Sequence, residues 1–236
     1  MPDFRPLNRR LILAELGRTT FALAVFGGTA LAMAAEDEEN EALAWHRVSF
    51  GFVSAYILVR GSEAAIVDTG LPGSEPQIGE GLEAAGLGWD AVRHVVFTHL
   101  HPDHIGSSHA VLSLASSAAG YAGEPDLPAV ESPRPVTAVA DGDDVFGLQV
   151  VASPGHTPGH ICVLDPGAGV LVAGDAIRSD EGSVIGPNPD FTENMGAAHD
   201  SVRKLAGLSY ETVLVGHGDP VVGGASGAVA ALAAGL

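Results

Sequence analysis

From Trp45 onward the apolar positions fall into short runs set apart by glycines and polar turns. His46-Arg47-Val48-Ser49-Phe50, Ser54 to Val59 and Ala64-Ala65-Ile66-Val67, broken at Gly51 and at Gly61-Ser62, predict a meander of antiparallel strands. Pro76 to Ala85 then spaces Ile78, Leu82 and Ala85 at helical intervals and predicts a surface helix despite its glycines. Val95-Val96-Phe97 is a buried strand, and Ala110 to Ala119, rich in Ala, Leu and Ser, is a helix. Pro125, Pro128, Pro133 and Pro135 make Glu124 to Pro135 a loop. Asp141-Gly142-Asp143-Asp144 is a turn whose carboxylates are solvated turn formers. Four more strands follow: Val145 to Ala152, His160 to Leu164, Val170 to Ala173 and Val213 to Val215. Helices over Thr192 to Ala206 and Gly223 to Leu236 complete a mixed α/β pattern.

The first 35 residues do not fit that pattern. Asn8-Arg9-Arg10-Leu11-Ile12-Leu13, the apolar run Phe21 to Phe26 and the small residues ending Ala32-Met33-Ala34-Ala35 follow the order of an export signal. The paired arginines and a core softened by Gly27, Gly28 and Thr29 resemble a twin-arginine signal, which exports folded proteins. Residues 1–35 are therefore expected to be removed, leaving a single domain over 36–236 with an acidic start at Glu36 to Glu41 and a periplasmic or extracellular location. An uncleaved membrane anchor is the alternative, although a span needs about 20 apolar residues.

Removing that segment sharpens the charge. The chain has 29 acids and 11 bases. Without Asp3, Glu15, Arg5, Arg9, Arg10 and Arg18 the mature part holds 27 and 7, a net charge of −20. Such a surface repels phosphate backbones, which excludes nucleic acid as a partner and leaves a small-molecule substrate. No stable membrane partner beyond export is expected, and no oligomeric state is indicated. Cys162 has no second cysteine to pair with and lies in an apolar strand, where a buried inert thiol is expected.

The chemistry is concentrated in Thr98-His99-Leu100-His101-Pro102-Asp103-His104-Ile105-Gly106, directly after a strand. Three imidazoles and a carboxylate crowd into a turn stiffened by Pro102. Imidazole with carboxylate suits borderline divalent ions such as zinc, iron or manganese. Further candidates also stand at strand ends: His156 after Pro154-Gly155, Asp175 after Gly174, and His217 after Val213-Leu214-Val215. Asp68 ends the third strand, where it either orients a ligand histidine or forms an Asx turn. His46, His94, His109 and His199 lack such placement.

As written, His99-x-His101-x-Asp103-His104 resembles the signature of the metallo-β-lactamase superfamily. The resemblance continues through Ser153-Pro154-Gly155-His156-Thr157-Pro158-Gly159-His160, Val172-Ala173-Gly174-Asp175 and Val215-Gly216-His217-Gly218-Asp219, covering about Ser49 to Gly218. It implies an α/β fold, a four-layer αββα sandwich with the ligands on loops at one edge. It also implies two divalent ions, zinc first and iron or manganese as alternatives. His99, His101 and His156 would hold one ion and Asp103, His104 and His217 the other, with Asp175 bridging and His160 structural. The implied activity is hydrolysis of an ester, thioester or lactone carbonyl by a metal-bridged hydroxide, with Asp103 as the catalytic residue that orients it. Two alternatives stand beside it. One is an oxidoreductase resembling persulfide dioxygenases, with a single iron on His99, His101 and either His156 or Asp175. The other is a non-catalytic metal-binding module.

Particular family members fit less well. Homoserine-lactone hydrolases carry a tyrosine three residues after the bridging aspartate, where this chain has Arg178. Zinc β-lactamases mostly lack a bridging aspartate at the Asp175 position. Glyoxalase II binds the carboxylates of glutathione, for which this chain offers no basic cluster, Lys204 being its one lysine. Arg178 itself either binds a substrate carboxylate or pairs with Asp180 on a surface loop.

Overall fold

A computed structural model describes residues 43–236. The expected signal over 1–35 and the acidic stretch Glu36 to Glu41 lie outside the described residues. The meander forms as β1 (Ala44–Ser49), β2 (Ser54–Arg60) and β3 (Glu63–Val67), each antiparallel to the next. After α1 (Glu75–Ala84) the chain returns as β4 (Val92–Phe97), parallel to β3. The short α2 (Pro102–Ile105) and α3 (Ser108–Leu114) then lead to β5 (Ala119–Gly123) and β6 (Val136–Val139), which extend the sheet in parallel. A second sheet follows from β7 (Asp144–Val145), β8 (Leu148–Ala152), β9 (Ile161–Asp165) and β10 (Val170–Gly174). A hairpin of β11 (Arg178–Asp180) and β12 (Ser183–Ile185) precedes α4 (Met195–Ala206). Next come β13 (Thr212–Val215), parallel to β10, then β14 (Val221–Val222) and α5 (Ala225–Ala234).

Strand alternation sorts the core into three layers. On β2, Ile57 faces outward to Ile78 and Leu82 of α1, while Tyr56 and Leu58 face the other sheet. On β4, Val95 and Phe97 join that outer layer with Val111 and Leu112 of α3, and Val96 points inward. On β9, Ile161 and Val163 meet them between the sheets, whereas Cys162 and Leu164 lie on the far face with Val202, Leu205 and Val229 of α4 and α5. Helix, sheet, sheet and helix therefore stack as the expected αββα sandwich. Among the described residues no helix is long and apolar enough to cross a membrane.

Three expectations need correction. The strand expected over Val145 to Ala152 is two, β7 and β8, paired antiparallel about Phe146 and Gly147, whose φ of 63° and 71° turn the chain back. The helix expected over Ala110 to Ala119 starts at Ser108 and ends at Leu114, because Ala119 is already paired beside His94 as the first residue of β5. Glu124 to Pro135 is not wholly irregular: Glu124–Ala129 forms a short 3-10 helix that buries Asp126. Cys162 is fully buried, with its sulfur 3.1 Å from Ser153 Oγ, and burial pushes its thiol up to about 12. Iodoacetamide at about pH 8 should leave the native protein unlabelled and add one label per chain in guanidinium. Labelling of native protein at the rate of the unfolded chain would contradict this packing.

Candidate metal centre

Five strands, β3, β4, β8, β10 and β13, end at one edge of the sandwich, and the candidate ligands follow those ends. His99 and His101 leave β4, and Asp103 and His104 lie on α2, whose Pro102 supplies a preset first turn. His156 lies in the loop after β8, and Asp175 and His217 follow β10 and β13. The pairing of β10 with β13 is irregular between Val172 and Gly174, one residue before Asp175, so the strand end is redirected toward the site. Gly174 has φ 50°, and a Cβ there would stand 2.8 Å from His160 Nε2 and from Thr98 Cβ. No larger residue fits that corner.

The ring nitrogens converge. His101 Nδ1 lies 3.1 Å from His99 Nε2 and 2.9 Å from His156 Nε2. Asp103, His104 and His217 form a second cluster, with Asp103 Oδ2 3.4 Å from His217 Nε2. Asp175 stands between the clusters: Oδ2 is 3.4 Å from His156 Nε2 and 3.1 Å from His217 Nε2, and Oδ1 is 3.3 Å from His104 Nε2. His99 also groups with His104 and Asp175. The structure thus brings together all seven candidate ligands.

Four of the histidines are aimed by what holds their other nitrogen. His104 Nδ1 donates to Asp68 Oδ2 at 2.7 Å, and His217 Nδ1 donates to the Phe52 carbonyl at 2.8 Å. His99 Nδ1 meets Thr98 Oγ1 at 3.0 Å, and His156 Nδ1 meets Thr192 Oγ1 at 3.1 Å. Each leaves Nε2 facing the centre, while His101 presents Nδ1. Asp68 adopts φ 64°, a left-handed conformation that aspartate tolerates, and also accepts from Thr98 N and Oγ1 at 2.8 Å. That carboxylate therefore fixes the plane of the His104 ring. His160 faces away from the clusters: its Nδ1 meets Ser153 Oγ and its Nε2 accepts from Asp175 N at 3.1 Å.

One positioning residue escaped the sequence reading. Asp126, 1% exposed, accepts from Leu100 N at 3.1 Å, Thr157 Oγ1 at 2.5 Å and Gly159 N at 2.8 Å. Its carboxylate ties the loop carrying His99 and His101 to the loop carrying His156. Gly159 is needed there, since a Cβ would stand 2.6 Å from the Asp126 carboxylate. An aspartate inside a proline-rich stretch gives no local signal of such a role.

Electrostatics divide the centre. Burial holds His99 well below the usual histidine range and His156 at about 4, so both rings are neutral near pH 7. Burial also opposes charge on His104 and His217. The carboxylates Asp175 and Asp68 nevertheless raise His104 well above its usual range, and Asp103 and Asp175 raise His217 to about 9. Asp175, although buried, is held well below the carboxylate range chiefly by His104.

Imidazoles packed nitrogen to nitrogen, and a buried Asp175 Oδ1 without a hydrogen-bond partner, are the donor set a divalent cation satisfies. The residues therefore fit a metal pair. Near pH 7, loading the Asp103, His104 and His217 cluster displaces protons, because the neighbouring carboxylates raise both histidines, whereas loading the His99, His101 and His156 cluster displaces none from His99 or His156. Zinc titration by calorimetry at about pH 7, in two buffers of different ionisation enthalpy, should read less proton release for the first ion, taken by His99, His101 and His156, than for the second. Equal release for both would contradict this division.

A cavity of about 670 Å³ opens over the centre, walled by Phe52, Leu71, Pro102, Asn188 and Phe191. Arg178 also lines it, with Nε donating to the Gly186 carbonyl at 3.1 Å. The alternative pairing of Arg178 with Asp180 is not formed. The acidic turn Asp141 to Asp144 binds backbone amides and Lys204, as expected of turn formers.

Residues 48–217 match the family described as the metallo-beta-lactamase superfamily. A probable metallo-hydrolase of Bacillus subtilis, YflN, is 28% identical over 75% of this chain and 85% of its own. Metallo-beta-lactamase domain-containing protein 1 of Xenopus laevis is 32% identical over 69% of this chain and 70% of its own. A hydroxyacylglutathione hydrolase of Rhodobacter capsulatus is 35% identical over 53% of this chain, which spans 48% of that enzyme. Among solved structures, a metallo-beta-lactamase family protein of Thermus thermophilus superposes with TM-score 0.65 at 24% identity, covering 82% of this chain and 79% of that one. TTHA1623, solved in a di-iron-bound form, reaches TM-score 0.63 at 27% identity over 78% of this chain and 96% of its own.

Proposed function

The chain belongs to the metallo-β-lactamase superfamily and is a metal-dependent hydrolase, and from that premise we propose that it is a dinuclear enzyme, zinc-loaded in its working form, that cleaves thioesters, esters or lactones. The observation that carries this reading is Asp175, whose two oxygens face both histidine clusters from one buried position. Hydroxyacylglutathione hydrolases among the relatives and the thioesterase pkgB of Emericella nidulans, 28% identical over 72% of this chain, support a thioester or ester carbonyl as the target. When bound to these residues, divalent ions would supply Lewis acidity and lower the pKa of water toward neutrality.

The chain's own residues do the rest. Asp103 stands at the cavity floor, half-buried. Burial opposes its charge, but His217 and His104 hold it below the usual carboxylate range, so it stays a proton acceptor beside the attacking water. Phe52 and Phe191 give the cavity an apolar wall on which the acyl or leaving group can pack. Water adds across the acyl bond, giving a carboxylic acid and a thiol or alcohol, and the leaving group departs with the proton. Among the described residues no serine or cysteine nucleophile lines the cavity.

Elemental analysis of protein purified without added metal tests the reading before any substrate is known. About two zinc ions per chain, together with turnover of a thioester or lactone, is the expected result. One iron per chain with no turnover would replace the hydrolase by the mononuclear oxidoreductase. No metal after reconstitution would leave a binding module.

A further inference from the structure

Asp175 lies in a tight turn. The Ala173 carbonyl accepts from Ala176 N at 3.2 Å, which makes Gly174 and Asp175 the central residues, and Gly174 takes the left-handed φ of 50°. The peptide joining those two residues is gripped from both sides. Its carbonyl, that of Gly174, accepts from Gly216 N just past β13 at 2.9 Å. Its N–H, that of Asp175, donates to His160 Nε2 at 3.1 Å. The turn bond uses Ala176 N and leaves the buried Asp175 amide to find an acceptor outside the turn, and the imidazole at the start of β9 is that acceptor.

The imidazole belongs to a chain of hydrogen bonds that closes on the same turn. Because Nε2 accepts, the hydrogen of the ring is on Nδ1, which donates to Ser153 Oγ at 2.8 Å. Burial keeps the ring neutral by holding it at about 3. The Cys162 S–H is directed at the Ala173 carbonyl, 3.4 Å from Sγ, so Ser153 donates its own hydrogen to Cys162 Sγ at 3.1 Å. The hydrogens of Asp175 N, His160, Ser153 and Cys162 therefore all point one way around a loop that starts at the Asp175 amide and ends at the Ala173 carbonyl. Gly174 sits between those two ends. The side chains of Ser153, His160 and Cys162 are all buried, and none of them lines the cavity over the centre.

Resting on the dinuclear reading, we propose that His160 is a positioning residue that sets where the Asp175 carboxylate stands between the two clusters, with Ser153 and Cys162 holding its ring in the accepting tautomer. The lever is short. Tilting the peptide between Gly174 and Asp175 swings the Asp175 side chain, whose oxygens lie 3.1 to 3.4 Å from nitrogens of both clusters. A small swing favours one cluster at the expense of the other.

Asparagine and glutamine separate this role from packing. Glutamine carries an amide oxygen to the place of Nε2, whereas asparagine ends at the place of Nδ1 and falls short of the Asp175 amide. Cobalt binding to the metal-free protein reads the outcome without a substrate. His160→Asn should weaken cobalt affinity by about 10–100-fold and abolish the magnetic coupling between two cobalt ions in electron paramagnetic resonance, while His160→Gln keeps both near native. With the zinc enzyme, kcat of His160→Asn should fall by a similar factor at nearly unchanged KM. His94→Asn removes an imidazole packed on Tyr121 and Phe146, five residues before His99 on β4, and should leave affinity and coupling native.

A histidine that serves packing alone would lower the melting temperature of both His160 variants and leave affinity and coupling unchanged in the folded protein. That result, or equal losses in His160→Asn and His160→Gln, would overturn the proposal. Imidazole nitrogen spectra of the native protein should show His160 protonated at Nδ1, and a proton on Nε2 would overturn it independently. If the native protein takes a single cobalt ion, the dinuclear reading falls. The affinity for that ion in His160→Asn against His160→Gln then still decides whether His160 positions Asp175.

Discussion

His101→Ala abolishes hydrolysis while the protein stays folded. Loss of a group that only orients a ligand lowers metal affinity or activity by about 10–100-fold, so loss of the ligand itself should exceed about a hundredfold. His101 carries the nitrogen that both His99 and His156 face, which makes it the centre of its cluster. The fold does not depend on its ring, because the His101 carbonyl starts α2 by accepting from His104 N at 2.9 Å and Ile105 N at 3.1 Å, and alanine keeps that carbonyl. The side chain is also partly exposed, so water fills the space left behind. Circular dichroism and melting temperature should match the native protein, while metal content falls by about one ion per chain. His109→Ala, an exposed change on α3, serves as the control. Turnover within tenfold of the native rate in His101→Ala would remove this cluster from the mechanism.

The second large effect is expected at Asp126. Asp126→Ala strands the Leu100 and Gly159 amides and the Thr157 hydroxyl in a buried position. Each stranded donor costs about 1–3 kcal/mol, less where water reaches it, so the loss in stability should be on the order of 3 kcal/mol. The loops holding His99, His101 and His156 then lose their common strut, and affinity for the first ion should fall by about 10–100-fold. Asp126→Asn keeps one oxygen acceptor and should lie between. The diagnostic comparison sets metal affinity against stability. A destabilising cavity elsewhere, such as Leu205→Ala under α4, should lower the melting temperature without releasing the ion at temperatures where the protein is folded. If Asp126→Ala retains the first ion as firmly as the native protein, Asp126 serves the fold alone.

Asp126 also marks the limit of what the residues disclose in order. Strands that bury β-branched runs, such as Ile161–Asp165 and Thr212–Val215, were legible because their composition alone favours extended, buried backbone. Ala119–Gly123 was not, since Ala-Gly-Tyr-Ala-Gly has no intrinsic strand preference. It is a strand because β4 and β6 flank it and pair every residue. The same contrast holds at the centre. His99 to His104 declare themselves within one loop, and the isolated ligands His156, Asp175 and His217 could be joined to them only by resemblance, at strand ends whose convergence is a property of the sheets. Asp126 meets its donors 26 to 33 residues away, through a fold that no local pattern encodes. Arg178 was visible as a charge, but its tether to the Gly186 carbonyl belongs to the hairpin geometry.

The ligands of each cluster are drawn from both sheets: His99 and His101 follow β4 of the first, whereas His156 and Asp175 belong to the second and His217 lies 118 positions from His99. An ion held by such a set is a clasp between two halves that share no covalent bond beyond the single crossing chain. A nascent protein cannot complete either cluster until both sheets have formed and docked, because His156 and His217 each come from the second sheet to join donors that follow β4. Full occupation of the centre is therefore a late event of maturation, and a copy whose sheets have not docked lacks the closing donor of each cluster.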